Sequence, residues 1–390
     1  YMNSLIDLKI AWLVPTAWFY WQPSLSELTR LFPNTRVFTG LFPGFAKGLE
    51  RSLDIEIVGE RKVVPVTQSG TSYGNNFTYL SPAIVNRLFR FKPQIVFSSS
   101  FGVWTILALL FKWIGHWKVV IAYEGSSPGV DYRNSMIRLA LRRLMVNLAD
   151  AYISNSEAGK DYLIKVLHAP ENSVFQQPYE VPDQRTLAAV NESLVKVSPS
   201  SELTFEILKR PTFLFVGSVI ARKGVQDLLE ACKLLKASGV DDYSVLIVGD
   251  GEQRPALEQF TKTHDLQSVV TWVGQVDYSD MGTYFLQSDV FVLPTLEDTW
   301  GMVVLEAMLM GKPILCSTGA GASELVIEGK NGYRFASQDP KTLAETMGIC
   351  IKNPEVLPEM GQYSRSLMER YSPQAAARFM SDIAAFVTRR

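Results

Sequence analysis

The stretch VFVLPTLEDTWGMVVLEAMLMG, residues 290–311, decides how this chain folds. Val290 to Leu293 is an apolar run that stops at Pro294, and a short acidic loop follows. Gly301 then opens a segment, Met302 to Met310, that reads as a helix. A strand that hands over to a helix through such a loop is where open α/β sheets bind ligands. The helix start offers backbone N–H groups and the positive end of the dipole, which suit a phosphate. Asp298 and Glu306 bracket the turn with seven residues between them, so two carboxylates can serve one bound molecule. Carboxylates accept paired sugar hydroxyls well. The arrangement points to a nucleotide-sugar site.

The same alternation runs outward in both directions. Phe213 to Val216, Ser244 to Val248, Val269 to Val273 and Pro313 to Cys316 read as further strands. Val225 to Ala237, Arg254 to His264 and Asp280 to Gln287 read as helices between them. In the first half, Leu8 to Val14, Gln94 to Phe97, Val119 to Ala122 and Ala151 to Ser154 are strand-like. Ser24 to Leu31, Pro82 to Phe91, Val103 to Trp113, Asn134 to Leu148 and Ser156 to Val166 are helix-like. Such alternation implies mostly parallel sheets covered on both faces. The break falls at Gln184 to Pro211, which has weak periodicity and a Ser-Pro-Ser-Ser run.

A length of 390 residues allows two domains with separate cores. A net charge of −1 argues against a nucleic-acid partner. The three cysteines and three histidines are scattered, with neither a disulfide framework nor a metal-ligand spacing, and no Asp-x-Asp occurs. The expectation is a reducing, cytoplasmic setting and no metal site. No charged n-region and cleavage site opens the chain, so no secretory signal is expected. Phe101 to Ile114 is the most apolar stretch, but it contains Lys112 and falls short of the roughly 20 residues a span needs. It reads as a helix buried against a sheet.

Several segments in order carry a family resemblance. They are Phe215 to Gly224 (FVGSVIARKG), Leu246 to Gly251 (LIVGDG), Trp272-Val273-Gly274, Ser288-Asp289-Val290, Gly321 to Glu324, Asn331-Gly332, and the acid-(seven residues)-Glu element of Asp298 and Glu306. Together the chain resembles the retaining glycosyltransferases of family 4, glycosyl transferases group 1. The resemblance implies the GT-B fold: α/β, with two Rossmann-like doubly wound lobes facing each other across a cleft. It divides the chain into an acceptor-binding lobe (1–185), a linker (186–210), a nucleotide-sugar-binding lobe (211–371) and a last helix (372–390) that crosses back to the first lobe. Ser372 as N-cap and Pro373 at the first position suit that helix start.

The departing phosphates of a nucleotide sugar need cations, and Arg222 and Lys223 follow the Phe213–Val216 strand by one loop. Glu306 sits in an apolar helix, where a carboxylate needs partners. The resemblance gives Glu306 the donor ribose, and gives Asp298 and the amides of Thr299, Trp300, Gly301, Met302 and Val303 the donor sugar. Asp298 stands where the family more often has Glu, so adjacent Glu297 could share that task. Gly217, Ser218, Gly251 and Val276 complete the donor-binding set. Ser218 departs from the pattern, which has Arg there. Glu124 ends the fourth strand where the family often has His, and is expected near the reacting sugar. Trp18 and Tyr20, in an aromatic loop after the first strand, suit the face of a sugar or a lipid-linked acceptor.

Asn134 to Asp150 mixes Met136, Ile137, Leu141, Leu144, Met145 and Leu148 with Arg138, Arg142 and Arg143, a basic amphipathic pattern that fits either an anionic membrane surface or a covering helix with a solvated arginine edge. The expected activity is transfer of a hexose from a nucleotide-diphosphate sugar, UDP-linked and metal-independent, to a glycan or glycolipid. The alternatives are a catalytically inert nucleotide-sugar-binding relative and a GT-B nucleotide-sugar epimerase.

Overall fold

A computed structural model describes residues 7–67, 70–187 and 205–389. Residues 188–204 of the expected linker lie outside the described residues, and Phe205–Ile207 is a single 3-10 turn. The chain divides into two compact units. One comprises Tyr1–Ser69, Gly74–Asp183 and Tyr371–Arg390; the other comprises Gly70–Tyr73 and Gln184–Arg370.

In the first unit the elements run β1 (Ile10–Thr16), α1 (Gln22–Leu31), β2 (Thr35–Leu41), β3 (Ile55–Ile57), β4 (Lys62–Thr67), β5 (Asn75–Tyr79) and α2 (Ile84–Phe91). They continue with β6 (Ile95–Ser99), α3 (Val103–Gly115), β7 (Lys118–Tyr123), α4 (Pro128–Asp131), α5 (Met136–Leu148), β8 (Ala151–Ser154), α6 (Glu157–Asp161) and β9 (Val174–Gln176). Seven strands form one parallel sheet in the order β3-β2-β1-β6-β7-β8-β9, and β4 and β5 pair as a separate antiparallel ribbon. Ile10 to Val14 and Val119 to Ala122 are buried at every position. Continuous apolar runs are what a sheet covered on both faces requires. Successive side chains alternate between the faces. Ala11, Leu13, Val119 and Ile121 pack with Trp104 and Leu109 of α3 and with Leu139 and Met145 of α5. On the alternate register Trp12 stacks on Phe97 at 5.2 Å and meets Trp21 edge-on.

The last helix, Pro373–Thr388, belongs to this unit and packs on α1. Ser372 caps it by accepting from Ala375 N–H at 3.2 Å. Ala376, Met380, Ile383 and Val387 make its buried stripe, the spacing of an amphipathic helix.

The second unit repeats the plan with β10 (Thr212–Val216), α7 (Val225–Ala237), β11 (Ser244–Val248), α8 (Arg254–Thr263), β12 (Val270–Gly274) and α9 (Met281–Leu286). Then come β13 (Val290–Leu293), α10 (Met302–Leu309), β14 (Ile314–Ser317), β15 (Gly332–Phe335), α11 (Pro340–Lys352) and α12 (Leu357–Met368). Its six strands are all parallel, in the order β12-β11-β10-β13-β14-β15. Both units are therefore Rossmann-like and doubly wound.

The arginines of α5 do not form a lipid-facing set. Arg142 is only 8% exposed. Its guanidinium lies within 6 Å of the rings of Phe101, Tyr123, Tyr132 and Tyr162 and donates to Tyr162 Oη at 2.8 Å. Helical spacing explains this: Arg142 falls on the stripe of Leu139, Met145 and Val146, which faces the sheet. Arg143 gives two hydrogen bonds to the Val166 carbonyl, at 3.1 and 3.0 Å, and Arg138 lies 3.9 Å over the Tyr132 ring. Ser156 to Val166 is also not one helix, since α6 gives way to a π-helical turn over Tyr162–Val166.

Candidate functional site

Strand order in the second sheet reverses at β10. The chain leaves β10 toward β11 on one side, and β13 joins on the other. Loops leaving β10 and β13 at their carboxyl ends therefore diverge, and such a switch point is the usual ligand crevice of an open α/β sheet. Gly217 starts the first loop with φ of 156°, donating to Val248 O at 3.0 Å, and Val219 donates to Asp250 O at 2.9 Å. A short 3-10 turn, Ala221–Lys223, ends at Gly224 with φ of +69°, where a side chain would run into the Pro294 carbonyl. The two loops are pinned to each other there. Arg222 O accepts from Leu296 N at 2.8 Å and from Thr295 Oγ1 at 3.0 Å, and the Arg222 guanidinium donates to Glu297 O at 2.7 Å.

This pinning sets the charges. Lys223 Nζ forms an ion pair with the Asp298 carboxylate, both side chains being largely buried. Burial pushes the Asp298 carboxyl up. The Lys223 pair, the Arg222 charge and the Trp300 N–H outweigh it and hold the group below the usual aspartate range. The next loop supports Asp298 from behind: its N–H donates to Gly319 O at 2.9 Å and its carbonyl accepts from Gly321 N at 3.1 Å. Trp300 is fully buried and fixes the turn.

Two residues far away in sequence complete the cluster, and nothing in the sequence signals them. The Ser72 hydroxyl and the Tyr73 N–H both donate to Glu297 Oε2, the latter at 3.1 Å. Tyr73 Oη donates to Asp298 Oδ1 and accepts from Thr299 N, each at 3.4 Å. The Tyr73 ring lies 3.9 Å from the Arg222 guanidinium carbon.

Beyond the acidic turn, Gly301 has φ of +89° and no side chain caps the start of α10. First-turn amides of such a helix are anion donors. Met302 and Val303 sit half-buried at that start. One turn further on, Glu306 is 6% exposed and accepts from Tyr278 Oη at 2.8 Å. Burial pushes its carboxyl up to about 7, against the opposing effect of that hydrogen bond. Tyr278, which follows β12, has no signal in the sequence either. Gly251 packs on the Val219 backbone, so a side chain there would strike it. Val276 is half-buried after β12, and Ser218 is exposed. Cations thus meet acids at one end of the site, and a second carboxyl waits one helical turn deeper.

Glu124, Trp18 and Tyr20 belong to the first unit. Glu124 follows β7, half-buried beside Glu180. Burial, reinforced by the Glu124 charge, holds the Glu180 carboxyl well above its ordinary range. Trp18 is exposed after β1, and Tyr20 leans on Trp21, which is itself buried against Tyr179. The aromatic loop is therefore core at Trp21 and open at Trp18.

Two doubly wound parallel lobes with the charged cluster at a switch point define a GT-B glycosyltransferase fold. Residues 202–367 match the family of glycosyl transferases group 1 and residues 28–175 match glycosyltransferase family 4; the chain belongs to these family 4 glycosyltransferases. An uncharacterized glycosyltransferase of Haemophilus influenzae is 26% identical over 239 residues, 61% of this chain and 62% of that one. The sulfoquinovosyl transferase SQD2 of Arabidopsis thaliana is 25% identical over 308 residues, 76% of this chain and 57% of that one. The chain thus spans about three-fifths of the length of these curated relatives. Among solved structures, Anabaena Alr3699/HepE in complex with UDP superposes with a TM-score of 0.72 at 16% identity, covering 97% of this chain and all of that one.

Proposed function

We propose that the protein is a retaining, metal-independent glycosyltransferase that moves a hexose from a UDP-linked sugar to a glycan or lipid-linked acceptor. The donor is a co-substrate, and no resident cofactor takes part. Its proposed setting is cytoplasmic, at the inner face of an anionic membrane. The observation that carries the reading is the Lys223–Asp298 ion pair held beside Arg222 at the switch point of the second sheet. UDP and UDP-glucose occupy the Anabaena protein in its solved complexes, which supports a uridine donor here.

In this reading the C1–O bond to the departing phosphate breaks while the acceptor oxygen bonds to C1 from the same face. The acceptor proton passes to the leaving phosphate oxygen, so no strong general base is needed. Arg222 and Lys223 stabilise the charge that grows on that phosphate, a fixed electrostatic effect of the kind that lowers barriers most. Asp298 with the amides after it holds the donor sugar, and Glu306 accepts the ribose hydroxyls. Trp18, Tyr20 and Glu124 are the acceptor-side residues of the first unit.

A thermal-shift screen against nucleotide sugars tests the binding half of this proposal. A donor present at 100 times its dissociation constant stabilises the fold by about 2.7 kcal/mol, and Glu306→Ala should remove most of the shift. The reading fails if no UDP- or GDP-linked sugar shifts the wild type. An inert relative is the competing reading, favoured by Ser218 in place of the family arginine; it would bind donor yet release no nucleotide.

A further inference from the structure

We propose that the outer face of α3 and α5 is a membrane-docking surface that acts through apolar side chains, and that its occupant is an anionic lipid bilayer. This rests on the membrane contact proposed above but not on the transfer chemistry.

Both helices are crossovers between neighbouring parallel strands, α3 from β6 to β7 and α5 from β7 to β8, so they run in the same direction. They pack on each other and on one face of the sheet. Their inward stripes are ordinary core. Their outward stripes are apolar as well. On α5 these are Met136, Ile137, Leu141 and Leu144, with Ile137 84% exposed; on α3 they are Leu110, Trp113 and Ile114, with Trp113 70% exposed. Lys112 ties the carboxyl ends of the two helices together by donating to Leu148 O at 2.8 Å. The α3 group and Leu144 of the α5 stripe therefore lie toward the same end of the helix pair. Large exposed apolar patches mark interaction sites on soluble folds.

Charge identifies the occupant. Neither α3 nor α5 contains an acidic residue; of their cations, Lys112 is buried on Asp150 and Arg142 is buried among aromatic rings, which leaves Arg138 exposed and Arg143 half-buried. Arg138 lies exposed near the amino end of α5, and Arg133, just before the helix, is exposed but paired with buried Asp131 at 2.9 Å. An apolar stripe with a tryptophan, cations alongside and no acids is the composition of a helix that lies in the interfacial plane of an anionic bilayer. A second copy fits worse. A two-fold contact through this face would set exposed Arg138 against two helices that hold no carboxylate to pair it.

The test is flotation of the full chain with vesicles of phosphatidylcholine alone or mixed with phosphatidylglycerol. Trp113→Ser/Ile137→Ser is compared with wild type, and UDP binding is measured in parallel. Both positions are exposed, so the fold should tolerate the change. Expected is wild-type binding to the mixed vesicles and a loss of about tenfold or more in the variant, at unchanged UDP affinity, since the two substitutions remove apolar area that would enter the bilayer. Wild type that ignores mixed vesicles overturns membrane contact altogether. Variant binding equal to wild type overturns the assignment of this surface alone. Sedimentation that finds a wild-type dimer split by the variant would assign the face to a second copy instead.

Discussion

Lys223 and Asp298, 75 residues apart in sequence, form one ion pair at the carboxyl edge of the second sheet. Gly224 makes the pair geometrically possible, because only a residue without Cβ lets the first loop close on the Pro294 carbonyl. Breaking a buried pair by removing one partner costs about 3 kcal/mol, since the other charge is left unmatched. Lys223→Ala should therefore lower the unfolding free energy by roughly that amount in urea titrations. Lys223→Ala/Asp298→Ala should recover much of the loss, and additive losses would show that the pair does not couple. In kinetics, Lys223→Ala should lower kcat by about a hundredfold or more with a smaller change in donor affinity. Equal losses would mean that the lysine only binds the ground state.

Glu306 gives a pH signature. Its folded carboxyl titrates near 7, above the ordinary value of 4.5. The folded state therefore holds the proton more tightly than the unfolded chain, and stability declines as pH rises from about 4.5 to 7 and is level beyond. A shift of this size corresponds to something on the order of 3 kcal/mol. Glu180 titrates in the same direction, so the readout is wild type minus Glu306→Gln. UDP affinity should move the other way, rising through pH 7 as the carboxylate forms, and should be flat in Glu306→Gln. A pH-independent difference would contradict the burial that sets this shift.

The doubly wound plan was legible because its central strands are buried on both faces and read as unbroken apolar runs. β2 was not, since Thr35, Arg36 and Thr39 interrupt its apolar pattern, and β9 is only three residues long. The donor-site loops could be read because Gly217, Gly224 and Gly301 each adopt a left-handed conformation that marks a turn. Ser72 and Tyr73 could not be read, because long-range contacts made by a four-residue segment leave no local pattern. Arg142, part of the basic pattern in the sequence, is buried because its spacing from Leu139 and Val146 puts it on the inner stripe.

Tyr73 offers a test of that unread contact. Tyr73 hydrogen-bonds Asp298, which is proposed to hold the donor sugar, and Ser72 and Tyr73 also hold the adjacent Glu297. Donor binding must exchange those contacts for sugar hydroxyls, and a conformation that must be given up lowers apparent affinity. Tyr73→Ala should therefore tighten UDP-sugar binding several-fold in calorimetry while leaving affinity for uridine unchanged. Weaker UDP-sugar binding would instead make Tyr73 part of the donor site.

Metal independence is checked directly. Transfer should persist after dialysis against EDTA, because Arg222 and Lys223 supply the positive charge at the leaving group. Activity lost on chelation and restored by manganese or magnesium would contradict this.

The most direct measurement of the central claim is proton NMR of the hexose released when the protein hydrolyses a UDP-hexose without acceptor. The account predicts slow UDP release, abolished in Lys223→Ala, with the first-formed free sugar in the anomeric configuration of the donor. No UDP release from any UDP- or GDP-hexose, or a first-formed sugar of inverted configuration, would contradict it.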